Sequence, residues 1–131
     1  MIEGGCLCGK VRYQYDGDIS EIAICHCSQC RQAQGGPFAT NSPIDANRLR
    51  ISGSQYIKEF ESNENKVRAF CSQCGSPLYS ARKDLPDIKR LRLGSVKTPF
   101  ICENKYHIFS SSTASWDVIS DAYPQFDEHK K

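Results

Sequence analysis

Two short stretches, Gly5-Cys6-Leu7-Cys8-Gly9 and Phe70-Cys71-Ser72-Gln73-Cys74-Gly75, decide how this chain is read. In an extended segment residues two apart point the same way, so Cys6 and Cys8 offer two sulfurs to one point. Cys71 and Cys74 do the same through a tight turn, a knuckle suited to zinc. A glycine follows the second cysteine in each case. Glycine lets the backbone turn with positive φ, so that amides can approach the sulfurs. Spacing alone leaves the pairing of cysteines open, but the matching glycines favour one closed site of Cys6, Cys8, Cys71 and Cys74. Such a site ties the start of the chain to its middle over about sixty residues, a closure that costs entropy. Its role reads as structural.

Between the knuckles lies Cys25-His26-Cys27-Ser28-Gln29-Cys30, which differs in kind. Three thiolates in one short stretch bind a metal but leave a tetrahedral position open, and open positions separate catalytic from structural zinc. If Ser28 caps a short helix, its first amides favour the thiolate forms of Cys27 and Cys30. A fourth ligand from Cys102, His26 or His107 would instead close the site. His26 is badly placed for that, because in an extended run it points away from Cys25 and Cys27.

The remaining composition is that of an ordinary soluble domain. The chain has 131 residues, 39% hydrophobic and 24% charged, with a net charge of +2. That length suits a single domain, expected over residues 4–126 with a charged, frayed tail over 127–131. The charge is too mild to argue for nucleic acid. No apolar run approaches the ~20 residues of a membrane span, and Met1-Ile2-Glu3-Gly4-Gly5 lacks the features of a secretory signal. Eight cysteines fall below the ~8–10% of disulfide-stapled secreted chains. Clustered and closely spaced, they read as metal ligands in a reducing, cytoplasmic compartment.

Alternation of apolar residues predicts strands over Lys10 to Tyr15 and Ile19 to Cys25. Further strands are expected at Phe38 to Asn41, Arg48 to Ile51, Tyr56 to Phe60, Val67 to Phe70, Leu78 to Ala81, Lys89 to Leu93 and Tyr106 to Phe109. One short helix over Gln29 to Gln34 would be stopped by Gly35-Gly36. Many short strands separated by Gly, Pro, Asn and Asp argue for a mainly-β domain of short antiparallel sheets. Tyr106, Phe109 and Trp116 read as core rather than as a substrate wall, and Cys102 as a small buried residue.

Taken together, Gly5-Cys6-Leu7-Cys8-Gly9-Lys10-Val11-Arg12-Tyr13, Cys25-His26-Cys27-Ser28-Gln29-Cys30-Arg31 and Phe70-Cys71-Ser72-Gln73-Cys74-Gly75-Ser76-Pro77-Leu78 resemble one family. So do His107-Ile108-Phe109 and Ala114-Ser115-Trp116. It is the glutathione-dependent formaldehyde-activating enzyme family, which includes centromere protein V-like domains. The resemblance implies a β fold related to methionine sulfoxide reductase B and to a zinc-binding Rab exchange factor. It implies a structural zinc on Cys6, Cys8, Cys71 and Cys74 and a catalytic one on Cys25, Cys27 and Cys30. It also implies a carbon–sulfur lyase reaction on a glutathione-like thiol and an aldehyde.

A zinc held by three thiolates is a weak Lewis acid toward water but a good partner for a further soft sulfur. Arg31, beside the three cysteines, could hold a substrate carboxylate, and His26 or His107 could move a proton. The alternative is a zinc-scaffolded module that binds a protein partner without catalysis. A sulfoxide reductase is a third reading, and it would need a mobile reactive cysteine with a resolving partner.

Overall fold

A computed structural model describes residues 1–130. In chain order the strands are β1 (Ile2–Gly5), β2 (Arg12–Tyr15), β3 (Ile22–Cys25), β4 (Ala39–Asp45) and β5 (Leu49–Ser52). They continue as β6 (Ile57–Asn63), β7 (Lys66–Cys71), β8 (Pro77–Arg82), β9 (Ile88–Arg92) and β10 (Lys105–Ile108). The α-helix α1 spans Ser28–Gln34, and short 3₁₀ turns complete the set. The fold is mainly β, as the many turn-bounded runs predicted.

The chain forms two compact units. One is Met1–Ile19 with Ser42–Ile101; the other is Ser20–Asn41 with residues 102–130. β4 carries the chain from the second into the first.

In the first unit β1, β2 and β5 make an antiparallel sheet in the order β1-β2-β5. Tyr13 and Tyr15 are buried while Arg12 and Gln14 are exposed, the alternation expected of a half-buried strand. β6, β7, β8 and β9 form an antiparallel meander. A core of Cys6, Val11, Ala69, Cys71, Leu78 and Tyr79 gathers Ile51, Tyr56, Ile57, Cys74 and Ala81 around it. Two of the knuckle cysteines are thus core residues.

In the second unit β3 lies between β10 and β4. β3 and β4 are antiparallel, with Cys25 opposite Ala39. β10 runs parallel to β3, Ile108 opposite Cys25, which corrects the expectation of antiparallel pairing throughout. A parallel pair needs a long crossover, and here the whole stretch from α1 to β9 intervenes in sequence.

Other boundaries moved for identifiable reasons. β1 was not foreseen, because Gly4 and Gly5 are poor strand formers. A Cβ on Gly4 would collide with Tyr13 and the Ser95 carbonyl, so the close approach demands glycine. β4 runs past Asn41 through Pro43, whose missing N–H lies beyond the pairs with β3. The stretch expected to fray is bonded: Phe109 N–H donates to the Glu128 carbonyl at 2.9 Å, and Ser111 Oγ to that of Asp127. Lys131 lies outside the described residues.

Candidate metal centres

The first centre lies wholly within the first unit. The sulfurs of Cys6, Cys8, Cys71 and Cys74 all lie within 4.8 Å of one another. Cys6 and Cys8 are 3.5 Å apart, and Cys8 and Cys71 are 3.8 Å apart. Zinc–sulfur bonds of about 2.3 Å at tetrahedral angles separate sulfurs by ~3.8 Å, so the spacing fits that ion. Gly9 and Gly75 take positive φ of 80° and 79°, as the turns require. The amides they free reach the sulfurs: Val11 N–H donates to Cys6 and Gln73 N–H to Cys71.

Ser76 completes this shell. Its hydroxyl lies 3.2 Å from Cys74 Sγ and accepts from the Leu7 amide. The Ser76 side chain and backbone, with the Cys8 backbone, hold the Cys74 thiol down at about 5. Cys8 goes the other way. Although the Lys10 amide favours its thiolate, desolvation and the neighbouring Cys6, Cys74 and Cys71 push it up to about 11. Crowded thiols cannot all ionise on their own; a divalent cation among them reverses that and makes all four thiolates.

The second centre lies wholly within the second unit. Cys25 ends β3, Cys27 precedes α1 and Cys30 sits in its first turn, their sulfurs again within 4.8 Å. The N-cap is Cys27 rather than the expected Ser28: its sulfur accepts from Cys30 N–H at 3.3 Å. The helix ends at Gly35 in the left-handed conformation, its amide bonded to the Arg31 carbonyl. Side-chain contacts with Cys27 and Cys30 push the Cys25 thiol far up, so this donor set also calls for a cation before it ionises fully. Cys25 and Cys30 are buried and Cys27 is half-buried.

None of the three alternative fourth ligands joins this cluster. His26 and His107 bond each other instead, Nε2 to Nδ1 at 2.8 Å. Burial depresses the pKa of both, keeping the pair neutral. Cys102 is half-buried, not fully buried as expected, and its thiol donates to the Asn104 carbonyl at 3.8 Å. No disulfide joins any of the eight cysteines. Arg31 is half-buried and donates from Nε to the His26 carbonyl at 3.3 Å, bracing the backbone between Cys25 and Cys27.

Two further aromatic expectations separate. Tyr106 is buried, but Trp116 is 68% exposed and is not core. Ile108 and Phe109 pack with Cys27 against the buried Cys25, Cys30 and Ala39. Phe109 also holds φ 52° and ψ 39°, the left-handed region, alone among the described non-glycine residues. Such a backbone costs about 1–3 kcal/mol and persists only where its surroundings enforce it. Phe109 and Ser76 both lie in the quoted motif stretches, but no local signal marked the left-handed backbone of the one or the sulfur contact of the other.

Residues 1–112 match the model of the glutathione-dependent formaldehyde-activating enzyme family. The chain belongs to this family. A Halomonas elongata protein, provisionally named as a glutathione-dependent formaldehyde-activating enzyme, is 33% identical over 86 residues, covering 60% of this chain and 55% of that protein. An uncharacterized lyase of Schizosaccharomyces pombe is 29% identical over 79 residues, covering 60% of this chain and 56% of the lyase. The chain thus spans about half the length of these curated relatives. A crystal structure of a Rhodobacter sphaeroides protein superposes with a TM-score of 0.61 at 20% identity, over 75% of this chain and 90% of that one. That likeness concerns the fold of the formaldehyde-activating family member described here and nothing more.

Proposed function

We propose that this chain is a zinc-dependent carbon–sulfur lyase-type enzyme acting on the adduct of a small, glutathione-like thiol with an aldehyde, resembling S-(hydroxymethyl)glutathione synthase. The observation that carries the reading is the unequal donor count: four sulfurs meet in the first unit and three in the second. Family membership supplies the reaction class. Cys6, Cys8, Cys71 and Cys74 would hold a structural zinc within the fold. Cys25, Cys27 and Cys30 would hold a second, catalytic one. When bound there, that zinc supplies a position at which a soft thiol loses its proton near neutral pH.

The chain's own residues do the rest. The sulfur cluster is backed by Ala39 and walled by Ile108 and Phe109, which limits the water around an incoming sulfur. The Arg31 guanidinium is tethered at Nε and keeps its other N–H groups for a substrate carboxylate. In the forward direction the thiolate sulfur bonds the aldehyde carbon, the carbonyl π pair moves to oxygen, and that oxygen takes up the proton released by the thiol. Holding the two reactants together lowers the barrier through proximity. A reducing compartment such as the cytoplasm suits seven ligand thiols.

Cobalt substitution tests this reading, since each added thiolate changes the charge-transfer and ligand-field bands. Glutathione should shift the spectrum of the parent protein and leave Cys30→Ser unchanged. No shift with any thiol would end the catalytic reading.

A further inference from the structure

We infer that Phe109 is the specificity-determining wall of the three-cysteine centre, and that residues 124–130 hold it in place. The inference rests on the thiol-binding reading above and adds which thiols the centre accepts.

Phe109 sits where a strained backbone and the sulfur cluster meet. Its side chain packs against Cys25, Cys30 and Ala39 together with Cys27 and Ile108. It is half-buried, as is Cys27 in the same cluster. Its left-handed backbone turns the chain sharply out of β10 into the 3₁₀ turn Ser110–Ser112. Phenylalanine gains nothing intrinsic from that conformation, which asparagine or glycine adopts more readily. A ring kept at such a position points to a use for the ring.

The later segment supplies the restraint. It follows β10 with an isolated parallel bridge, His107 to Gln125. His107 N–H donates to the Pro124 carbonyl, and Phe126 N–H to that of His107. Beyond β10, Phe109 N–H bonds the Glu128 carbonyl at 2.9 Å, and Ser110 binds the Phe126 carbonyl through both its amide and its hydroxyl. His129 then meets the Phe109 ring edge to face, centroids 4.9 Å apart at 76°. One ring is gripped by the cysteine cluster and by His129.

An incoming thiol bonds through sulfur and must lay its first carbon beside that cluster. A flat aromatic wall accommodates a slender methylene and clashes with a branched carbon. The centre therefore takes primary thiols, the class to which a cysteine-type side chain belongs, and rejects tertiary ones.

The test compares 2-mercaptoethanol, a primary thiol, with 2-mercapto-2-methylpropan-1-ol, its tertiary counterpart, by titrating cobalt-loaded protein and following the sulfur-to-metal band. The parent should bind the primary thiol at least about tenfold more tightly, a discrimination that apolar pockets reach over single carbon groups. Phe109→Gly removes the ring while keeping the left-handed backbone, and should bring the affinity ratio close to one. Phe109→Tyr should keep the ratio, and His129→Ala should lower it part-way. The two-metal content of each variant reports that it has folded. A parent that binds both thiols alike, or a Phe109→Gly that keeps the parent ratio, overturns the assignment of Phe109 while leaving thiol binding intact. A parent that binds neither thiol overturns the proposed function and this inference with it.

Discussion

His26 Nε2 and His107 Nδ1 lie 2.8 Å apart, joining the residue between two cluster cysteines to the strand that runs parallel to β3. Both histidines are almost wholly shielded from water, at 1% and 4% exposure. One donates and the other accepts, so replacing either strands a buried nitrogen. His107→Leu should destabilise the protein by about 1–3 kcal/mol. Adding His26→Leu should cost less than the sum of the two singles, because no lone partner is left behind. Urea denaturation of the two singles and the double variant measures this; strict additivity would mean the bond contributes nothing.

The two centres should respond differently to losing a ligand. Cys71 is fully buried in the first unit's core and faces cysteines far away in sequence. In comparable small domains metal binding at such a site is worth on the order of 10–16 kcal/mol. Cys71→Ser is expected to give unfolded or insoluble protein. Cys30→Ser, in a local triad, should remain folded with one zinc. Metal analysis and circular dichroism decide it, and equal collapse of both variants would erase the division of roles.

Gly53 is a tighter constraint than its loop position suggests. It holds φ 79°, and a Cβ there would run into the Lys10 carbonyl, just past the first knuckle. Gly53→Ala should destabilise by about 1–3 kcal/mol through left-handed strain alone, with further loss from displacing the Lys10 backbone. A matched Gly36→Ala, where nothing lies within 4 Å, is the control. Thermal unfolding of the pair should show a drop for Gly53→Ala only.

The readable parts of this chain were those written in local spacing. Cysteines two or three residues apart converge wherever the backbone is extended or tightly turned, so both sulfur groups were visible without coordinates. The alternation at Tyr13 and Tyr15 likewise announced β2, and Gly35 marked the end of α1. Long-range geometry was not readable in this way. Nothing near Ile22 or Lys105 announces that β3 and β10 pair in parallel, and the His26–His107 bond follows from that pairing. Nothing local marked Gly4 as part of a strand, because the Tyr13 ring that requires a glycine there lies across the sheet. Cys27 displaced Ser28 as the helix cap because a sulfur drawn toward its neighbours also reached the Cys30 amide. Trp116, whose aromatic side chain reads as core, lies mostly in water.

The first unit is interrupted by residues of the second, and this ordering matters while the chain is being made. Cys25, Cys27 and Cys30 leave the ribosome together, whereas Cys6 and Cys8 must wait for Cys71 and Cys74 at the end of β7 and beyond. β10, whose Ile108 carbonyl accepts the His26 amide, comes later still. A nascent chain therefore displays a complete local triad long before the four-sulfur cage can close. The three-sulfur group, made from one short segment, is therefore the first of the two that a nascent chain can offer to a metal ion.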